Sequence, residues 1–114
     1  SYLMSTGFDK ILEGKDLDSK LQRGKLGIHD EFMFRLLPEE LRRNKQPFFT
    51  TLFTLSSHSP YDFPMEHHIQ WPLLEKDFVN SVAYTDHGIG EFFALARKES
   101  WYDSTLFILM ADHS

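Results

Sequence analysis

Two stretches of the chain carry no charge at all. Phe48-Phe49-Thr50-Thr51-Leu52-Phe53-Thr54-Leu55 is one, and Thr105-Leu106-Phe107-Ile108-Leu109-Met110-Ala111 is the other. Each is rich in aromatic and aliphatic residues. Pro47 and Ser56–Pro60 bound the first, and Ser104 and Asp112 bound the second, so both read as buried strands. Between them, residues 75–98 place Val79, Val82, Ala83, Ile89, Phe93 and Ala96 at three- and four-residue spacing, which predicts a helix. Lys98 sits where a last-turn cation suits the helix dipole. Strand, helix, strand predicts a βαβ unit with its two strands parallel in one sheet. Uninterrupted apolar strands further predict a sheet covered on both faces.

Upstream the texture is different. Residues 1–27 are polar and punctuated by glycine around an apolar knot at Phe8, Ile11 and Leu12, and Lys10 to Lys25 reads as a connecting segment. Asp30 is expected as the N-cap of a helix with Glu31 in its first turn, and Met33, Leu37 and Leu41 repeat every four residues. Pro38 predicts a kink or two short helices ending near Asn44. Residues 56–72 hold three prolines and form a loop, longer than most at about 17 residues, which suggests a functional role. Gly88 and Gly90 fall within the predicted helix at 75–98 and are expected to permit close packing on the sheet.

In open α/β sheets, sites form beyond the carboxyl ends of the strands. The first strand brings Ser56-Ser57-His58 to that edge and the second brings Asp112-His113. Asp112 and His113 offer a hard oxygen and an imidazole, a mix that divalent ions accept, or they simply finish a strand in polar residues. His58 suits either a phosphate or carboxylate contact or local turn hydrogen bonds. Asp86 is expected on the apolar helix face with a structural hydrogen-bond partner. His87 is expected to be solvated. His67 and His68 are expected to face solvent, and His29 to make a contact near the helix cap. Ser56, Ser57 and Ser59 lack a nucleophile-elbow sequence and read as turn residues.

Composition narrows the function classes. The chain is 41% hydrophobic and 15% aromatic, with 11 Phe, which argues against intrinsic disorder. Its 114 residues allow one domain at most. With no cysteine, disulfides, thiolate metal sites and cysteine nucleophiles are all excluded. The net charge of −5 is uneven: residues 1–45 sum to +1 and residues 46–114 to −6. That acidic part holds five of the six histidines, which suits a divalent cation better than a polyanion. No basic stripe is present, so nucleic acid is not an expected partner.

Several segments together resemble the catalytic domain of the lipoteichoic-acid-synthase-like sulfatases, which are phosphoglycerol and phosphoethanolamine transferases of the alkaline phosphatase superfamily. They are Gly27-Ile28-His29-Asp30-Glu31-Phe32, Gln46-Pro47-Phe48-Phe49, Thr54-Leu55-Ser56-Ser57-His58-Ser59-Pro60-Tyr61, Asn80-Ser81-Val82-Ala83-Tyr84-Thr85-Asp86-His87, and Trp101-Tyr102-Asp103-Ser104-Thr105-Leu106-Phe107 leading to Ala111-Asp112-His113. The ordered set carries the resemblance, from about Thr6 onward. It implies an α/β fold, the βαβ portion of a three-layer α/β/α sandwich with a largely parallel central sheet. It implies that Asp112 and His113 bind a divalent metal, manganese first and Mg, Zn or Ca as alternatives. It implies that His58 contacts a substrate headgroup phosphate. The nucleophile, a threonine or a formylglycine, is implied to lie outside this stretch, so residues 1–114 are expected to be a partial catalytic domain, inactive alone. The implied substrates are a phospholipid headgroup or a sulfate or phosphate ester at the cell envelope. The implied parent sits in the inner or cytoplasmic membrane with an extracytoplasmic catalytic domain, while this stretch is soluble and self-associates through open strand edges. An aryl or carbohydrate sulfatase of the same superfamily, and a non-enzymatic small α/β interaction module, are the alternatives.

Overall fold

The computed structural model describes residues 2–17, 23 and 27–113. Its helices are Tyr2–Ser5 (α1), Asp30–Arg43 (α2) and Lys76–Ala96 (α3), with 3₁₀ turns at Gly14–Asp16 and Tyr102–Ser104. Part of the expected connecting segment, residues 18–22 and 24–25, lies outside the described residues.

The charge pattern of α2 suits its dipole: Asp30 and Glu31 open it, and Arg42 and Arg43 close it. His29 occupies the N-cap position with extended backbone, so Asp30 is the first helical residue and not the cap. The expected break at Pro38 does not occur. One continuous helix passes through Pro38, which is buried. Proline removes one i→i−4 hydrogen bond, and packing against α3 holds the helix together despite that loss.

The face that α3 presents to α2 is set by a strict four-residue repeat: Asn80, Tyr84, Gly88, Phe92 and Ala96 are all buried. The core between and below the two helices is Phe34, Leu41, Phe92, Ala96 and Trp101. Phe34 meets Phe92 at 6.1 Å between ring centroids, and Phe48 meets Trp101 edge-on at 6.1 Å. Gly88 marks the closest approach, because a Cβ there would lie 2.8 Å from Cδ2 of Phe34. The expectation that glycine serves packing therefore holds at Gly88, but against a helix and not a sheet. A Cβ at Gly90 would meet nothing within 4 Å.

The stripe read from the sequence is rotated from the one the fold buries. Val82 is 45% exposed, whereas Ile89 and Phe93 pack partly buried against the aromatic core. Asp86, expected on the buried face, is exposed. Lys98 lies beyond the end of α3.

Both uncharged runs lie outside the helices, and neither forms a strand. Among the described residues the isolated bridge between Arg23 and Ile28 is the β-pairing present, and no strand forms. Phe48, Leu52 and Phe107 turn inward onto the core. Phe49 (81%), Phe53 (70%), Leu106 (83%) and Ile108 (73%) face outward. The helix between the two runs is thus present without the strands and parallel sheet expected on either side of it.

Candidate functional site

The carboxylate of Asp30 is the best-connected polar group of the fold. It is buried at the start of α2 and accepts from Leu55 N at 2.7 Å and from Ser56 N at 3.2 Å. It also accepts from Thr85 Oγ1 of α3 at 2.8 Å. In return Asp30 N donates to Ser56 Oγ at 3.1 Å. A buried carboxylate needs such donors to remain satisfied. Both helices are thereby tied to the end of the first extended run.

His58 follows that tie by two residues. A turn closes with His58 N donating to Leu55 O at 3.1 Å, and the next with Tyr61 N donating to His58 O at 2.9 Å. The imidazole is exposed, and Nδ1 lies 2.7 Å from Ser59 O. A carbonyl can only accept, so Nδ1 donates this bond and carries a proton. The local turn hydrogen bond expected as one reading of His58 is present, and the ring is exposed.

Asp112 and His113 end the second extended run and are exposed, with Asp112 Oδ1 at 3.8 Å from His113 Nε2. One carboxylate and one imidazole fit a divalent cation in donor chemistry, and further donors are needed to complete a shell.

The remaining histidines lie where expected, with His29 at the helix cap and His67, His68 and His87 exposed. His29 is buried and meets the ring of Tyr84 edge-on at 6.5 Å. His67 is exposed but anchored: its ring stacks on Phe63 at 4.7 Å, and Nδ1 lies 3.1 Å from Asp77 Oδ1. His68 is exposed as expected. His87 is exposed and approaches Glu91 at 3.4 Å.

Glu31, His87 and Glu91 gather potential metal-ligand atoms within 4.8 Å of one another. Arg35 already occupies that group, with Nε 2.9 Å from Glu91 Oε2 and a terminal nitrogen 3.4 Å from Glu31 Oε2. The guanidinium hydrogen bond holds Glu91 below the usual carboxylate range and raises Arg35 in turn. This group is an ion-pair network bridging α2 and α3 and not a cation site. Burial pushes the Tyr84 hydroxyl well above the usual phenol value, with the charge of Glu31 adding to it.

The sequence pattern did not signal Ser56, read there as a turn residue, or Thr85 as hydrogen-bond partners of Asp30. Asp30 itself was expected only as a cap. Nothing in the local sequence around Thr85 signals a contact 55 residues away.

Among solved structures, a protein of the alkaline phosphatase superfamily from Vibrio parahaemolyticus is similar, with a TM-score of 0.72 and 36% identity over 85% of this chain and 24% of that one. That likeness supports an α/β fold class. The lipoteichoic acid synthase of Staphylococcus saprophyticus is 27% identical over 113 residues, covering 94% of this chain and 18% of the synthase. Lipoteichoic acid synthase 2 of Bacillus subtilis is 28% identical over 115 residues, covering 94% of this chain and 17% of its own length. The chain thus spans less than a fifth of those relatives. The family model described as Sulfatase matches residues 2–114, and the chain belongs to the sulfatase family.

Proposed function

We propose that this chain is part of the catalytic domain of a metal-dependent transferase that moves a phosphoglycerol or phosphoethanolamine group onto a cell-envelope acceptor. The observation that supports it best is the sulfatase-family match over residues 2–114, joined to relatives named for lipoteichoic acid synthesis. In this reading Asp112 and His113 hold a divalent ion, manganese first. When bound, the ion stabilises charge on the transferring phosphoryl group and lowers the pKa of the attacking hydroxyl. His58 meets the headgroup phosphate through a donating Nε2–H, and Nδ1–H on Ser59 O keeps the ring oriented. The nucleophile and the remaining ligands come from outside these residues, so the chain alone is inactive. The extended runs belong to a largely parallel sheet in a three-layer sandwich. The substrate places the site at the outer side of a membrane. No helix among the described residues is long and apolar enough to cross one.

The full-length protein carrying this chain tests the reading. Asp112→Asn and His113→Ala are expected to weaken Mn²⁺ binding by about tenfold or more in titration calorimetry. His58→Ala is expected to raise KM for phosphatidylglycerol vesicles while leaving Mn²⁺ affinity in place. Unchanged Mn²⁺ affinity in both metal variants overturns the metal assignment. Turnover of an aryl sulfate without turnover of the phospholipid favours the sulfatase alternative, which the family's own description also supports.

A further inference from the structure

The hydrogen bonds around Asp30 form a device whose output is the placement of His58. Asp30 is 2% exposed, and its two oxygens engage groups from two separate elements. Oδ1 takes the amide of Leu55 at 2.7 Å, and both oxygens lie 3.2 Å from the amide of Ser56. Oδ2 takes the hydroxyl of Thr85 at 2.8 Å. Ser56 Oγ closes the ring by accepting from Asp30 N at 3.1 Å. The carboxylate therefore fixes two successive amides of the extended run immediately before the turn that carries His58. That turn is hydrogen-bonded back to Leu55 itself, one of the two residues Asp30 holds.

We infer that Asp30, oriented by Thr85, is a positioning residue for His58: it sets the register of Leu55–Ser56, and through the 55–58 turn the location of the imidazole that meets the substrate phosphate. The inference rests on the proposed phosphate role of His58. Helix stability alone does not call for this arrangement. An acidic residue can meet the helix dipole from the surface without distant partners, whereas here the group is buried and accepts from residues 25 and 26 positions away. The run has no strand partner among the described residues, and the carboxylate of Asp30 holds its end beside His58.

Two measurements on Asp30→Asn, Thr85→Val and Thr85→Ser separate positioning from general stability. Asparagine keeps the shape but turns a donor toward one of the amides it should accept from. Hydrogen exchange is expected to rise about tenfold or more at Leu55 and Ser56 in Asp30→Asn while Phe92 and Ala96 stay protected, the loss of one to two charge-assisted hydrogen bonds. Kinetics of the full-length protein on phosphatidylglycerol vesicles gives the second measurement. Asp30→Asn should raise KM more than it lowers kcat, Thr85→Val should do so by about threefold, and Thr85→Ser should restore the parent value. Asp30→Asn added to His58→Ala should give little further change, because the two act through one contact.

An additive double variant, or Thr85→Ser behaving like Thr85→Val, overturns the positioning role. His58→Ala with unchanged KM removes the phosphate role of His58, and the exchange data then decide separately whether Asp30 sets the turn. Uniformly increased exchange across α3 in Asp30→Asn makes Asp30 a structural residue and also overturns the inference.

Discussion

Replacing Gly88 by alanine sets two effects of known size against each other at the crossing of α2 and α3. Alanine in a helix interior is favoured over glycine by about 1 kcal/mol. The new Cβ would stand 2.8 Å from Cδ2 of Phe34 and 3.5 Å from Cα of Glu31. A separation of 2.8 Å cannot be kept, so the ring or the helix must move. Phe34 is only 8% exposed and is packed on Phe92, so the ring has little room. Overpacking of this kind costs about 1–3 kcal/mol. Setting about 2 against about 1 leaves Gly88→Ala destabilised by roughly 1 kcal/mol. Gly90→Ala, with open space at its Cβ, gains the propensity term alone and should be stabilised by up to about 1 kcal/mol. Urea unfolding followed by helical circular dichroism should therefore separate the two variants by about 2 kcal/mol, or roughly 10 °C in Tm. Equal stabilisation of both would refute a tight helix crossing at Gly88.

Further outcomes follow from the same structure. Trp101 is 1% exposed and joins the core to Phe48 and Phe107, so Trp101→Ala should cost about 3–5 kcal/mol in urea unfolding; a loss under about 1 kcal/mol would contradict its central place. The Glu91–Arg35 pair holds the Glu91 pKa below its ordinary 4.5, so its stabilisation is complete above that value and is lost as pH falls through the lower folded value. Glu91→Gln should accordingly flatten the acid side of the stability–pH curve, and an unaltered curve speaks against the pair. The outward faces of the extended runs predict self-association of the chain at micromolar concentration, reduced by Phe53→Lys with Ile108→Lys. A monodisperse monomer of the parent chain by light scattering would remove that expectation.

The helix expected over 75–98 was legible from periodicity to within two residues of Lys76–Ala96, whereas of Asp30–Arg43 the extent from about Asp30 to near Asn44 was legible and its continuity through Pro38 was not. Which side of α3 is buried was not legible, because the helix has apolar residues on more than one face. The buried side also includes Asn80, whose amide clamps Ile69 by bonds of 3.0 and 2.7 Å. A polar residue satisfied in this way is invisible to a hydrophobic stripe. Pro38 misled for a related reason, since local steric cost says nothing of the partner helix that offsets it. The uncharged runs were read as buried strands, and neither forms a strand among the described residues, because strand pairing is non-local and depends on partners that the sequence of the run does not name. At the site, His58, Asp112 and His113 are exposed where the two uncharged runs end. The Asp30–Thr85 contact joins residues 55 apart and had no local signal.

The run from Phe48 to Ser56 is fastened at both ends, by Phe48 on the Trp101 ring and by Ser56 on the Asp30 carboxylate. It therefore acts as a measured spacer, and its length constrains the molecule more tightly than its composition. A residue added within it would push the His58 turn by up to about 3.3 Å and reverse which side chains face inward, unless a bulge absorbs it. The same addition in 64–74, beyond that fastening, leaves both ends of the spacer where they are. Natural variation in chain length should accordingly collect after the His58 turn and spare the residues before it.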